Sequence, residues 1–168
     1  GTSAKLPGPD TVWKQEGSGT LTPTHPITLA YDNGEGLEFR RTIAVDDKYL
    51  FTLKDDVVNK TGAPVTVYPY GLVSRHGLPQ NLSASSILHE GLIGVMGDKG
   101  LEEVSYKKIE EKKVLTYDVT NAWLGITDKY WAATLLPDIK ARLQAKFSAG
   151  THGAQPTFQT DYLLDAVT

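Results

Sequence analysis

The sequence predicts an all-β fold built from antiparallel sheets. Apolar and polar side chains alternate with a period of two along several segments, which is typical of strands with one face on a core. Short runs of glycine, asparagine, aspartate and proline separate these segments and are typical of tight turns. No stretch has the pattern of a long amphipathic helix, and the best helical segment is the short "SASSILHEGL". About ten strands are expected, arranged as a sandwich of antiparallel sheets.

The clearest alternation lies in the first part of the chain. "TVWKQEG" predicts an edge strand, and "ITLAYD" and "LEFRRTIAV" predict two strands joined by a turn at Asp32–Gly36, where Asn-Gly suits positive φ. The odd-numbered residues from Leu37 to Val45 fall on one face of the second strand. "YLFTLKDDVVN" predicts the next strand, and Lys60–Pro64 the turn after it.

The same rhythm continues towards the C-terminus. "VTVYPYGLVSR" predicts a strand in which Pro69 cannot donate to a ladder, so an edge or a bulge is expected there. Two short strands flank "GDKG", the charge cluster "KKIEEKK" precedes the alternating "VLTYDV", and "RLQAKFSAG" and "TFQTDYLLDAV" predict the last strands. "NAWLGITDKYWAATLLPD" predicts either two strand segments joined at Thr127–Lys129 or one strand that follows a tight turn, with Asp128 capping backbone amides in that turn. Apolar residues on both faces predict that its second part is a central, buried strand.

The composition excludes several classes of function. The 168 residues carry a formal net charge of -3, and 40% of them are hydrophobic. This apolar content is sufficient for a core. The basic patch of a nucleic-acid-binding protein and the polybasic segment of a membrane-surface protein are both missing. The sequence contains no cysteine, which excludes disulfides, thiolate chemistry and cysteine-type zinc sites.

The domain organisation expected from the sequence is one domain over residues 1–168, with residues 1–10 as a disordered linker. No signal peptide is visible. The longest apolar stretch, Ile87–Met96, is interrupted by His89 and Glu90 and is far shorter than the ~20 residues that span a bilayer. The way the chain begins and ends favours a soluble piece of a larger protein.

No catalytic or metal-binding constellation stands out in the sequence. The four histidines lack the spacing of metal-binding motifs, and a surface or structural role is predicted for each. The glycine-rich "EGSGT" and "GDKG" match no phosphate-binding pattern. The paired carboxylates lie in segments expected to form solvated turns and hairpins. The sequence therefore predicts that the protein is not an enzyme and has no cofactor and no metal.

Aromatic side chains leave carbohydrate binding open as an alternative, because sugar-binding sandwiches stack pyranose rings on such side chains. The candidates are Trp13, Trp123, Trp131, Tyr68 and Tyr70. Packing in strands and cores is the favoured interpretation, since aromatic residues commonly serve that purpose.

Two segments of the sequence resemble a known family. "NAWLGITDKYWAATLLP" resembles a segment of the YidC-type membrane protein insertases, written roughly as G-W-x-G-x-x-x-x-Y-W/F-x-x-A-x-x-P. Five residues stand at the matching positions: Trp123, Gly125, Tyr130, Trp131 and Pro137. Upstream, "FRRTIAVDDKYLFTLKDDVVNKTGAPVTVYPYGLVSR" resembles the same family in the order of its strands and turns. The resemblance covers nearly the whole chain and is strongest to versions from alphaproteobacteria.

The resemblance implies the large periplasmic domain of such an insertase, on the periplasmic side of the bacterial inner membrane. That domain has an antiparallel β-supersandwich fold similar to galactose mutarotase-like domains, and its first N-terminal strands would be missing from this chain. The full-length protein inserts and helps fold inner-membrane proteins. The domain itself would be a non-catalytic interaction module or chaperone-like surface. A carbohydrate-binding or mutarotase-like domain is the alternative, and a purely structural spacer is a third interpretation.

The partners that the resemblance implies are accessory subunits of the Sec translocon and nascent membrane proteins, with no nucleic acid. Contact with the membrane would be made only through transmembrane helices that this chain lacks. The five family-signature residues are predicted to lie in the core, with Trp123 and Trp131 as its anchors. A partner-binding patch is the remaining interpretation of this segment.

Overall fold

The computed structural model describes residues 3–79 and 88–168, and nearly all of its regular structure is β-strand. The predicted all-β fold with antiparallel sheets is therefore confirmed. The chain divides into two compact units. Unit 1 comprises Gly1–Val67 together with Thr168, and unit 2 comprises Tyr68–Val167. The expectation of a single domain over residues 1–168 stays a prediction.

Unit 1 contains one four-stranded antiparallel sheet in the order β1-β2-β3-β4. Its strands are β1 (Lys14–Glu16), β2 (Ile27–Asp32), β3 (Leu37–Val45) and β4 (Phe51–Asn59). This is the meander that the alternation predicted. Residues 3–10 form neither helix nor strand, and the predicted disorder of residues 1–10 stays a prediction.

The turn between β2 and β3 shows why this register is fixed. The Asn33 side-chain oxygen accepts hydrogen bonds from the amides of Glu35 and Leu37, at 2.7 and 3.0 Å. Gly34 and Gly36 both have positive φ, as the Asn-Gly signal predicted. Leu37 is consequently directed inward and is only 1% exposed.

Unit 2 contains two four-stranded antiparallel sheets, in the orders β10-β9-β6-β7 and β5-β12-β11-β8. The strands of the first sheet are β6 (Gly91–Met96), β7 (Leu101–Ser105), β9 (Ala122–Asp128) and β10 (Trp131–Leu135). The strands of the second are β5 (Tyr70–His76), β8 (Val114–Thr120), β11 (Arg142–His152) and β12 (Gln155–Leu164). The helix α1 (Tyr106–Lys112) links β7 to β8.

The core of unit 2 lies between these two sheets. Leu92, Leu124 and Ile126 from the first sheet and Phe147 and Phe158 from the second belong to one buried cluster, and each is 0% exposed. The period-two pattern places these side chains on inward faces, because successive residues of a strand point to opposite sides. Unit 2 is therefore a sandwich with one shared core.

The segment "KKIEEKK", whose charges were expected to lie in solvated turns and hairpins, instead forms most of helix α1. Ser105 caps the helix by accepting a hydrogen bond from the amide of Lys108, at 3.3 Å. Tyr106 and Ile109, three residues apart, are both buried, and the intervening charged residues face solvent. Of the helical segment expected at "SASSILHEGL", the first half lies outside the described residues. The described second half is not helical, and its last residues, Gly91 and Leu92, belong to β6.

Pro69 directly precedes β5, which is an edge strand of its sheet, as expected for a residue that lacks an amide donor.

Candidate interaction surface

The segment that the sequence singled out forms a β-hairpin in unit 2. Strands β9 and β10 pair antiparallel, with Trp131 opposite Asp128, and Lys129 and Tyr130 form the two-residue connection. The predicted pair of strands is therefore confirmed, but the turn predicted at Thr127–Lys129 lies further along the chain, because Thr127 and Asp128 belong to β9. The sheet order places β10 at the edge of the sheet, so the prediction of a central, buried strand was wrong.

The side chain of Asp128 binds two side chains from elsewhere in unit 2. Its carboxylate forms an ion pair with Arg75 Nη1, at 2.5 Å, and accepts a hydrogen bond from the Tyr106 hydroxyl, at 2.6 Å. The predicted capping role of Asp128 was wrong, because the carboxylate of Glu90 accepts the hydrogen bond from the Lys129 amide instead. Asp128 thus ties its hairpin to β5 and to α1.

This network is largely removed from solvent. The side chain of Asp128 is 8% exposed and that of Arg75 is 18% exposed. Burial raises the pKa of Tyr106 well above its ordinary value, and the hydrogen bond to Asp128 raises this pKa further. Charge-assisted hydrogen bonds in such an environment are short and strong. The network therefore fixes the hairpin at a defined position.

Arg75 also orders Trp131. Its guanidinium carbon lies 5.4 Å from the centre of the Trp131 ring and 5.9 Å from the centre of the Tyr106 ring. Distances below about 6 Å permit cation–π attraction. Trp131 is nevertheless 45% exposed. The position of the indole is consequently fixed by Arg75, while part of the ring remains accessible to solvent.

The end of the hairpin is the most exposed aromatic part of unit 2. Tyr130 is 86% exposed, and the ammonium group of Lys129 lies 5.2 Å from the centre of its ring. We call Lys129, Tyr130 and Trp131 the hairpin tip. Such a combination of exposed rings and a cation suits recognition of another molecule.

The five predicted signature residues separate into two groups. Gly125 and Pro137 are buried and Trp123 is partly buried. The core prediction was wrong for Tyr130 and Trp131, because the first lies in the exposed turn and the second on an edge strand. The membership of all five in a family signature stays a prediction.

Gly125 has a steric role, because it lies where two backbones approach closely. A Cβ atom at this position would meet the Ala133 carbonyl oxygen at 2.4 Å and the Cα of Thr134 at 2.9 Å. Only glycine fits this contact between β9 and β10 without a backbone shift.

We expect Gly125→Ala to lower the free energy of unfolding by about 2 kcal/mol, within the range for overpacking. Gly150→Ala is the matched control, because a Cβ there would meet only Thr157 Oγ1, at 3.4 Å. That substitution is expected to change stability by less than about 0.5 kcal/mol. Urea unfolding of both variants measures the difference, and equal effects would contradict the close approach.

Sequence reasoning missed Arg75 and Tyr106. Arg75 lies on the inward-facing side of β5, opposite the buried Phe158 of β12. A charged residue at an inward position of an alternating strand was the signal that could have revealed the network, since such a charge requires a partner. Nothing comparable marked Tyr106, which lay beside the charges that were interpreted as a solvated turn.

Comparison with known proteins identifies the family. The family model described as the YidC periplasmic domain matches residues 1–168. The chain belongs to the YidC periplasmic domain family. This match confirms the resemblance proposed from the sequence, and with it the predicted location on the periplasmic side of the bacterial inner membrane.

Several relatives of this YidC periplasmic domain are named membrane protein insertase YidC. The one from Nitrobacter hamburgensis is 63% identical over 168 residues, and the one from Bradyrhizobium diazoefficiens is 61% identical over the same length. The relative from Brucella melitensis is 48% identical over 164 residues, or 97% of the chain. The chain spans 27% of the length of each of these three relatives.

Within residues 3–79 and 88–168 of this YidC periplasmic domain, no helix has the length and apolar character needed to cross a membrane. A shallow groove at one end of unit 2 is lined by Met96, Asp98, Lys99, Asp118, Val119, Thr120 and Arg142. None of these lining residues is aromatic, so this groove lacks the rings on which a sugar would stack.

Proposed function

We propose that this domain is a non-catalytic interaction module of a membrane protein insertase, and that the hairpin tip binds protein partners. The proposed partners are nascent membrane proteins and accessory subunits of the Sec translocon. The proposal rests on the accessible indole of Trp131, which Arg75 holds in place. Insertion moves a polypeptide from water into lipid, so it requires surfaces that bind apolar segments.

The fixed position of the Trp131 ring within the hairpin tip supports a binding role. A ring that is already fixed loses little conformational entropy when a partner covers it. Tryptophan and tyrosine are also the side chains that most often dominate protein interfaces. Asp128 holds Arg75 by an ion pair, and Arg75 in turn contacts the Trp131 ring. The exposed parts of the Trp131 and Tyr130 rings offer apolar area to a partner.

Site-specific photo-crosslinking in a full-length insertase tests this proposal. A photoreactive residue replaces Tyr130 in one protein and Thr116, an exposed residue of β8, in the control. We expect crosslinks from position 130 to a stalled nascent membrane protein or to a Sec accessory subunit, and few from position 116. Equal crosslinking from both positions, or none from position 130, would contradict the proposal.

Truncation of Trp131 tests its contribution to partner binding. Trp131→Ala in the full-length protein is expected to weaken partner binding by tenfold or more, the scale of an interface hot spot.

Sugar titration by calorimetry examines the carbohydrate alternative. Saturable sugar binding that is lost in Trp131→Ala would favour that alternative over a protein partner.

A further inference from the structure

Two histidines meet on the outer face of unit 2, at the end of the sheet where β11 turns into β12. The ring centres of His76 and His152 lie 5.8 Å apart, with an angle of 65° between the ring planes. Both side chains are exposed. We propose that this pair binds a divalent transition-metal ion of the Cu²⁺, Ni²⁺ or Zn²⁺ class.

The register of the sheet places both rings on the same face. His76 of β5 lies opposite Thr157 of β12, and His152 of β11 lies opposite Gln155 of β12. Thr157 and Gln155 are two residues apart, so their side chains and those of both histidines point to one side. The residues of β5 and β11 that face the core include Arg75 and Ala149. His76 and His152 lie an odd number of residues from these, so they face away from the core. The histidines thus approach each other across the intervening strand.

Part of the surface between the two rings lacks a side chain. Gly150 of β11 lies opposite Thr157 in the row that contains His76, so β11 contributes no side chain to that row. The Gln155 side chain lies beside the pair, because its Nε2 is 3.6 Å from a Cβ built at Gly77, directly after His76. The nearest atom to a Cβ built at Gly150 is Thr157 Oγ1, at 3.4 Å. This gap gives both imidazoles room to turn towards a shared ion.

The separation of the rings suits a shared ion. Metal–nitrogen bonds of about 2.0–2.1 Å place the centres of two imidazoles on one tetrahedral ion roughly 5 Å apart. The observed 5.8 Å requires only a small adjustment of two exposed side chains. Rotation about their side-chain torsions supplies this movement at little cost, because exposed rotamers interchange freely.

The other two histidines are engaged differently. His89 Nε2 lies 2.9 Å from the carbonyl oxygen of Leu92, and His25 Nε2 lies 3.3 Å from that of Ser18. In the described part of the chain, the rings of His76 and His152 make no hydrogen bond, so their nitrogens remain available. The neutral imidazole nitrogen is the commonest protein ligand for transition metals.

The protein supplies two ligands to this ion, and water would complete its coordination. Among the described residues, no group of three His, Cys, Asp or Glu side chains is placed to hold a metal. A site with two imidazoles and open positions favours copper, nickel and zinc over magnesium and calcium, which prefer oxygen ligands. Cu²⁺ is expected to bind most tightly of the three.

Nuclear magnetic resonance of the unmodified 168-residue chain provides the first test. Substoichiometric Ni²⁺ is added while the side-chain signals of the four histidines are recorded. We expect the signals of His76 and His152 to broaden together and first, and those of His25 and His89 to remain sharp. Uniform broadening, or broadening of only one member of the pair, would overturn the proposal. This measurement requires no variant and is independent of partner binding.

Calorimetric titration with Zn²⁺ provides the second test. One ion per chain is expected. His76→Gln and His152→Gln should each weaken binding by about tenfold or more, because each removes one of the two protein ligands, and even the loss of a residue that hydrogen-bonds to a ligand typically has an effect of that size. His25→Gln is the matched control, because His25 is an exposed histidine outside the pair, and it should leave binding unchanged. Zn²⁺ binding that is unaffected by either substitution within the pair would refute the site.

Discussion

Asp128→Ala is expected to lower the free energy of unfolding by about 3 kcal/mol, the scale for removing one partner of a buried ion pair. The substitution leaves the guanidinium of Arg75, whose side chain is only 18% exposed, without its counter-charge. It also leaves the Tyr106 hydroxyl without its acceptor. The melting temperature should fall by roughly 6–12 °C for a chain of this size. Thermal unfolding followed by tryptophan fluorescence measures the change, since Trp123 and Trp131 both lie in unit 2.

A double-mutant cycle distinguishes the ion pair from unrelated damage. Arg75→Met keeps apolar bulk beside Trp131 but leaves the Asp128 carboxylate unpaired, so it should also destabilise unit 2. Combining Arg75→Met with Asp128→Ala removes both charges, and the combined loss should be smaller than the sum by about 1 kcal/mol or more. The Nε of Arg75 makes no hydrogen bond within the described residues, so methionine sacrifices no contact there. Strictly additive losses would contradict a coupled network.

The ion pair between Lys146 and Asp161 provides a matched control in the same unit. Its atoms lie 3.3 Å apart, and the Lys146 side chain is 38% exposed whereas that of Asp161 is 15% exposed. The Gln159 side-chain amide also donates to Asp161, so this carboxylate keeps a hydrogen bond when Lys146 is truncated. A pair whose cation reaches water contributes little, because water screens the charge and ordering a long side chain costs entropy. Lys146→Met is therefore expected to change stability by less than about 1 kcal/mol. A loss as large as that of Asp128→Ala would show that burial does not set the difference.

Local sequence patterns predicted the strands and the turn chemistry but not the helix. The Asn-Gly turn was predictable because the Asn33 side chain and the positive φ of Gly34 act within a few residues. Helix α1 has seven residues, two of them buried, so its apolar stripe is too short to stand out from its charges. What stabilises it is its packing on the core, which a local pattern does not reveal.

The candidate site depended on contacts between distant parts of the chain. Apolar residues on both faces of "YWAATLLP" indicated a buried strand, whereas the sheet order puts β10 at an edge and leaves Trp131 accessible. Strand order depends on long-range pairing, which alternation within one strand does not specify. The same limitation hid the network, since Arg75, Tyr106 and Asp128 come from three separate elements. The resemblance of the segment to a family did not reveal which of its rings faces solvent.

Phe158→Ala is expected to be the most destabilising single truncation considered, at about 3–5 kcal/mol. Phe158 is 0% exposed on the inner strand β12, and its ring centre lies 4.5 Å from that of Tyr106. Alanine leaves a cavity between the two sheets and removes the aromatic contact that supports Tyr106. Urea unfolding should show a lower midpoint with an unchanged slope, which indicates lost stability within the same cooperative transition.

Leu163→Ala on the same strand is the matched control for truncation on the inward face of β12. Leu163 is 42% exposed, lies on the opposite face of the strand and pairs with Tyr70 of the edge strand β5. Its truncation should cost less than about 1 kcal/mol, because much of its surface already contacts water. A register slip by one residue would exchange the two faces of β12 and reverse the order of the two losses. A larger loss of stability for Leu163→Ala than for Phe158→Ala would therefore contradict the packing of the sandwich. It would also contradict the position of Arg75 opposite Phe158, which brings the guanidinium to the hairpin.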